Sequence, residues 1–233
     1  MRWVALLVTF TLWGLTWPQI LPPEADLPPC HMMVVIALAG IWTLWEFIEH
    51  RRSKARMLKS LYSIDYLRVP ANDTEIASLA GLLVDAVDSG AAVSFVAPLS
   101  IDHAREWWTR MFSSIHPRGV VLVARDSHDE IVGTVQLQPA WAPNQPHRAE
   151  VCKLIVHRRC GRAGLGRRLM EAVEQAGREN GFSLLTLDAR AGGTADILYA
   201  KLGWTRVGII PRYAIDPDGK GLHDTVIYYK ELK

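Results

Sequence analysis

The sequence predicts an α/β domain, a mixed sheet with helices on both faces, preceded by an N-terminal hydrophobic helical segment. Three observations predict it. From about residue 61 onwards, short runs rich in β-branched residues are interleaved with segments whose apolar residues recur at three- and four-residue spacing. Turn-rich peptides such as DSHD and DPDGKG separate these runs. The first 50 residues, by contrast, carry only five charged side chains and contain two long uncharged runs. Interleaved strands and helices bury their apolar surfaces best as a sheet covered on both sides.

The N-terminal segment comes first in the chain. Residues 3–21, WVALLVTFTLWGLTWPQIL, carry no charge, and at ~1.5 Å per residue such a run nearly spans a hydrocarbon core of roughly 30 Å. A second uncharged run covers 27–45, densest from Met32 to Trp45 and extended past Glu46 by Phe47 and Ile48. The linking PPEADLPPC has two acids and no Lys or Arg, whereas HRRSKARMLK follows the second run. Basic residues beside a membrane segment favour the cytoplasmic side. The expectation is therefore a hairpin of transmembrane helices at about 3–21 and 31–48, both ends inside the cell. A single anchor, or a true start at Met57, would also account for the pattern; Pro18 makes a poor signal-peptide cleavage site. The organisation read from this is a hydrophobic region at 1–50, a basic juxtamembrane linker at 51–61 and an α/β domain at 62–233, facing the cytoplasm, or cytoplasmic outright if the start lies downstream.

Composition narrows the function. A net charge of +2 over 233 residues gives no basic coat for nucleic acid. Cys30, Cys152 and Cys160 have neither paired nor metal-like spacing, and the eight histidines are scattered, so no metal site is expected.

The elements of the domain follow in order. SIDYLRV reads as a first strand. Asn72 followed by Glu75 makes a capping box for the helix IASLAGLLVDAV, and Ser100 caps IDHAREWWTRMFSSI. GVVLVAR and EIVGTVQLQ flank DSHD as a hairpin. AEVCKLIVH is a fourth strand, GLGRRLMEAVEQAGRENG a long helix ending at Gly181, and SLLTLDA a fifth strand. TADILYAKLG is a short helix stopped by Gly203, and WTRVGIIPRY and DTVIYYKEL close the domain as strands around DPDGKG.

One junction carries chemistry. VHRRCGRAGLGRRLM, residues 156–170, runs from a strand through a glycine-rich turn into a helix, with five arginines. Unpaired amides at a helix N-terminus, with the helix dipole behind them, bind phosphates. No Gly-Lys-Ser/Thr follows, and the spacing is not that of a dinucleotide fold. A purely structural turn is the alternative. Here residues 62–233 resemble the GCN5-related N-acetyltransferases, whose acetyl-CoA motif is Arg/Gln-x-x-Gly-x-Gly/Ala at this junction. The likeness extends to the small-molecule branch that includes tabtoxin-resistance acetyltransferase, on NQPHRAEVCKLIVH, GLGRRLMEAVEQ, LLTLDARAG, LYAKLGWTRVG and DPDGKGLHDTVIYYK.

The resemblance implies a mostly antiparallel sheet and acetyl-CoA as co-substrate. It implies that Arg159, Gly161, Arg162, Ala163, Gly164, Leu165, Gly166 and Arg167 hold the diphosphate. Leu154 and Val156 are expected to offer backbone groups to the pantetheine arm where the fourth strand splays. Gly161 departs from the motif's first position, which weakens binding; Arg158, Arg159, Arg162, Arg167 and Arg168 are the cations that could compensate. Dimers are frequent among similar enzymes, so a homodimer is a further expectation.

Acetylating an amine needs its neutral form. An amine of pKa about 10.4 is under ~0.1% neutral near pH 7, so a base within reach is required. Glu150 begins the fourth strand and Asp188 ends the fifth, acids that are costly in apolar runs unless they serve a site. Pairing of Glu150 with Arg148 and of Asp188 with Arg190 is the plainer alternative. The resemblance makes Tyr199, in LYAKLGW, the group that protonates the departing thiolate. Cys152 and Cys160 lack an activating histidine, which argues against a covalent route. The loops around 94–100, 139–148 and 208–224, with Trp141, Tyr213 and His223, are expected on the acceptor side. The function expected is direct acetyl transfer to a small-molecule amine, such as a toxin or antibiotic. An acyl-CoA-binding sensor without turnover, tethered to the membrane, and a membrane scaffold are the alternatives.

Overall fold

Seven strands pair in the order β1-β2-β3-β4-β5-β7-β6 in the computed structural model, which describes residues 29–161 and 163–233. They are β1 (Ser63–Tyr66), β2 (Val120–Arg125), β3 (Ile131–Pro139), β4 (Arg148–Val156), β5 (Leu184–Arg190), β6 (Thr205–Ile215) and β7 (Leu222–Glu231). Five helices are described: α1 (Pro29–Leu61), α2 (Asp73–Asp88), α3 (Ile101–Ser113), α4 (Leu165–Glu179) and α5 (Thr194–Lys201). All neighbouring strands are antiparallel except β4 and β5. A mixed, mostly antiparallel sheet is thus what the chain forms.

The chain divides into two units, Met1–Ala55 and Arg56–Lys233. Among the described residues no helix is long and apolar enough to cross a membrane. The expected span at 31–48 is therefore not borne out. Its uncharged part, Met32–Trp45, rises only about 21 Å at ~1.5 Å per residue, short of a bilayer core. Glu46, Glu49, Arg51 and Arg52 then continue on the same helix, with Arg52 paired to Glu49 at 3.2 Å. The other expected span, 3–21, lies outside the described residues.

Within the larger unit, strand alternation sorts the core into two layers. Val120, Leu122 and Ala124 of β2 point to one face, where α4 packs Leu169, Met170 and Val173. Val121 and Val123 point to the other, covered by Leu79, Leu83 and Val87 of α2 and Trp108 and Phe112 of α3. Trp108 is fully buried and its Nε1–H donates to the Leu79 carbonyl at 3.1 Å, which joins the two helices. The capping box of Asn72 and Glu75 forms as expected, as does the Ser100 cap.

Two irregularities shape the middle of the sheet. Thr134 of β3 faces Ile155 of β4 and Gln136 faces Cys152, so Lys153 and Leu154 together oppose Val135. This is a β-bulge, with Lys153 at φ 52°. Next, β4 pairs with β5 only from Arg148 to Glu150 against Leu184 to Thr186. Beyond that point β4 runs to Val156 and β5 to Arg190 without meeting, while β5 stays paired to β7 along its whole length.

A buried ion pair fixes the far side of this opening. Glu174 of α4 accepts from Trp204 Nε1 at 2.9 Å and from Lys230 Nζ at 2.7 Å, and Lys230 also donates to the Leu202 carbonyl at 2.8 Å. Removing one partner of such a pair leaves an uncompensated charge. Glu174→Ala is expected to destabilise the domain by about 3 kcal/mol, read as a lower urea midpoint with an unchanged m-value.

Candidate active site

The divergence of β4 from β5 opens a cavity of about 720 Å³. Leu154 and Val156 line it from β4, and Asp188 and Arg190 from β5. The turn after α2, Ser89–Val93, and the start of α5, with Gly192, Leu198 and Tyr199, complete the wall. Glu150 stands at the fork, the last residue of β4 paired to β5. Glu150, Cys152 and Asp188 alternate with the core residues Val151, Leu187 and Ala189, which places them on the face opposite α4.

Neither candidate acid is tied up by the arginine beside it. Arg148 turns to Gln145 Oε1, at 2.7 and 3.0 Å, and to Thr186 Oγ1 at 2.9 Å. Arg190 pairs with Asp216 at 2.9 Å. Among the described residues, no hydrogen bond or ion pair engages Glu150 or Asp188. Loss of hydration in the fork, then the neighbouring Asp188 charge, push the Glu150 carboxyl above the ordinary range, although its surface still meets solvent. Arg148 and Lys153 pull the other way by charge alone.

Tyr199 is only 5% exposed. Burial, followed by the charges of Asp188 and Cys152, raises its phenol well above the usual value, so it remains a proton donor at neutral pH. Its ring lies 5.9 Å from that of Tyr228 and 6.1 Å from that of Trp204. Tyr228 donates to the Asp196 carboxylate, which also accepts from the Gly192 amide at 2.8 Å, so the start of α5 is held in place. Cys152 is pushed up to about 12, chiefly by burial. A thiol that stays protonated is a poor nucleophile.

The glycine turn sits beside this cavity. Gly164 is the N-cap of α4 in the left-handed conformation, φ 78°, and no side chain caps the helix. The first intrahelical bond there runs from Arg168 N–H to the Gly164 carbonyl at 3.2 Å, so the amides of Gly164 to Arg167 are the orphans of this helix end. Leu165 anchors the turn by burying its side chain. A Cβ on Gly166 would lie 3.5 Å from Leu198 and 3.9 Å from Val156, two residues of the cavity wall. The open amides therefore adjoin the cleft, and the arrangement suits a diphosphate with an extended arm running between the strands.

The arginines are distributed otherwise than the sequence suggests. Arg158 is bound to Asp85 by its backbone N–H at 3.0 Å and its Nε at 2.5 Å. Arg159 reaches Asp126 at 2.9 Å and Glu130 at 2.6 Å, on the β2–β3 hairpin, so its guanidinium serves the fold rather than the turn. Arg167 pairs with Glu171 at 3.6 Å and Arg168 donates to the Tyr62 carbonyl at 2.9 Å. Gly161 has φ −59°, a conformation open to any residue, and Ala163 is half-buried. Arg162 lies outside the described residues.

On the acceptor side, the Ala97 amide donates to the Pro217 carbonyl at 2.8 Å, joining two of the expected loops. Trp141 is 91% exposed and Tyr213 is exposed as well, so neither closes a lid. His223 is half-buried, at 3.3 Å from Asp216. Two polar residues here escape sequence reasoning. Gln136 is buried opposite Cys152 with its amide nitrogen unpartnered, a polar side chain inside IVGTVQLQ that alternation alone could have flagged. Lys153 owes its position to the bulge, for which the sequence has no glycine signal. Among the described residues no group of three or more His, Cys, Asp or Glu side chains could hold a metal ion.

Comparison with known proteins agrees with this geometry. The chain is 27% identical over 145 residues to L-methionine sulfoximine/L-methionine sulfone acetyltransferases of Pseudomonas paraeruginosa and Pseudomonas aeruginosa, covering 60% of this chain and 82% of theirs. A GCN5-related N-acetyltransferase from Kribbella flavida superposes with a TM-score of 0.61 at 20% identity, over 74% of this chain and 98% of its own. A Salmonella typhimurium structure solved with its cofactor acetyl-CoA superposes with a TM-score of 0.60 at 19% identity, over 74% and 95%. At such identities the two structures speak for the fold alone. Residues 84–204, just over half of the sequence, match the acetyltransferase (GNAT) family, whose members use acetyl-CoA, and the chain belongs to that family.

Proposed function

We propose that this chain transfers an acetyl group from acetyl-CoA directly to the amine of a small molecule. The observation that carries the reading is the fork itself: two central strands part beside four uncapped helix amides, with two unpaired acids and a buried phenol at the same opening. The Pseudomonas relatives named for acetylating L-methionine sulfoximine and L-methionine sulfone favour amino-acid-like toxins or antibiotics as acceptors.

In this reading the amides of Gly164 to Arg167 hold the diphosphate, and Arg162 adds charge at the turn. Gly161 and Ala163 let the chain pass close by. Leu154 and Val156 present their backbone groups to the pantetheine arm. Acetyl-CoA supplies the acetyl thioester and the leaving thiol. Glu150 takes the proton of the amine, directly or through water, as its nitrogen bonds to the acetyl carbon, and its raised affinity for protons suits it to that task. Asp188 keeps the fork negative, which draws a cationic amine. Tyr199 gives its proton to the sulfur as the carbon–sulfur bond breaks. Holding both partners in one cleft supplies much of the rate, with no acetylated enzyme required.

Titration of the full chain with acetyl-CoA, followed by assay of free thiol against an amine panel that includes L-methionine sulfone, tests the reading. Saturable binding with amine-dependent thiol release is expected; saturable binding without release from any amine would favour an acyl-CoA sensor instead. Three variants sharpen it. Tyr199→Phe is expected to lower kcat by about 10²-fold or more with near-normal acetyl-CoA affinity, and unchanged turnover removes its role. In wild type, kcat/KM falls as pH drops through the raised Glu150 value, because protonation removes the base. Glu150→Gln is expected to flatten that limb and cost about 10²- to 10⁴-fold; a retained limb assigns the base elsewhere. Gly161→Arg should tighten acetyl-CoA binding, since its backbone suits any residue, although its Cβ would meet the Arg158 carbonyl at 3.1 Å.

A further inference from the structure

Lys153 stands where strict alternation would not put it. On β4, Ala149 and Val151 enter the α4 core and Glu150 and Cys152 face away. The next residue should face α4 again. The bulge instead carries the Lys153 side chain to the α2–α3 side, where Nζ donates to Ser94 Oγ at 3.1 Å. The ammonium also lies 5.5 Å from the Trp107 ring centre and 6.0 Å from that of Phe95. Both residues of this hydrogen bond are strained: Lys153 has φ 52° and Ser94 has φ 71°. Non-glycine residues in that region are held against their backbone preference, and such strain gathers at ligand sites.

The charge is also unanswered. Arg148, Arg158, Arg159 and Arg190 all have partners for their guanidinium groups. Lys153, half-buried, has no carboxylate within ion-pair reach among the described residues. Ser94 uses one of its three donors. Nζ is held at Ser94, on the loop side expected to receive the acceptor, and its field reaches Glu150 and Cys152.

We propose that Lys153 receives an oxyanion of the acceptor, so that the preferred acceptors are zwitterions carrying a carboxylate or similar group close to the reacting amine. The inference rests on the acetyltransferase reading above. An α-amino acid is the simplest fit: its ammonium faces Glu150 and Asp188, and its carboxylate, two bonds from the nitrogen at its carbon, meets Lys153. The rings of Phe95 and Trp107 flank the ammonium and limit the water that would screen the contact. Lys153 would then determine specificity without moving a proton.

The test uses matched acceptors on the full chain: L-methionine against 3-(methylthio)propylamine, and L-phenylalanine against phenethylamine. Wild type is expected to favour the carboxylate-bearing member of each pair by roughly 10- to 100-fold in kcat/KM. Lys153→Gly, which suits the backbone at this position, should bring the ratio near one, mostly through KM, with acetyl-CoA affinity unchanged. Lys153→Arg should keep part of the preference. A wild type without the preference, a preference that Lys153→Gly retains, or no acetylation of any of the four probes by a protein that binds acetyl-CoA would overturn the inference. A shift in Tm alone would mark Lys153 as a structural cation over two rings and would overturn it too. Failure of wild type to bind acetyl-CoA would instead bring down the acetyltransferase reading, and this inference with it.

Discussion

The structure turns on a hydrogen-bond ladder that stops. β4 and β5 are the one parallel pair in the sheet, and their pairing ends at Glu150 and Thr186 while both strands continue. A strand that leaves its partner exposes amides and carbonyls that need another partner. In a sheet interior such groups are expensive, and on the proposed reading the pantetheine arm answers them. The opening is also held. β5 is bonded to β7 from Leu184 to Arg190, and β4 is locked against β3 on both sides of the Lys153 bulge. The two strands cannot simply close on one another.

Around that opening the helices divide the labour. α4 brings its uncapped N-terminus to the cavity wall and buries Leu169, Met170 and Val173 beneath the sheet. α5 brings Tyr199 and is tied at its start through Asp196 to Gly192 and Tyr228, and at its end through Leu202 to Lys230 and Glu174. The phenol is therefore set by contacts on both ends of a short helix whose own hydrogen bonds are few. Charge is likewise sorted: the arginines with described contacts at the turn are spent on Asp85, on Asp126 and Glu130, on Glu171 and on the Tyr62 carbonyl. On the proposed reading, main-chain nitrogens would then be the chief diphosphate donors. That reading reduces the weight of the departure at Gly161, since side-chain charge at the turn would matter less than the motif implies.

What was legible in the sequence was local. The capping box of Asn72 and Glu75, the Ser100 cap, the DSHD hairpin and the Gly164 turn each depend on residues a few positions apart, and each formed. The acids at the fork were visible as charges in strand patterns. What the sequence hid depends on distant partners or on backbone without a glycine cue. Arg158 meets Asp85 across 73 positions, and Arg148 chooses Thr186 across 38. The bulge places a lysine in left-handed conformation, where no residue type announces it. The span expected at 31–48 is not borne out among the described residues, where the helix of Pro29–Leu61 carries charges through the turns that follow its uncharged part.

The most direct measurement of the central claim is an amide-resolved NMR titration of the protein with coenzyme A. Saturable shifts are predicted for the amides of residues 151–156 along the parted edge of β4 and 164–167 at the head of α4, with the α2–α3 layer largely unmoved. Shifts confined to other surfaces, or none at saturating ligand, would show that the parted strands are not where the thioester is held.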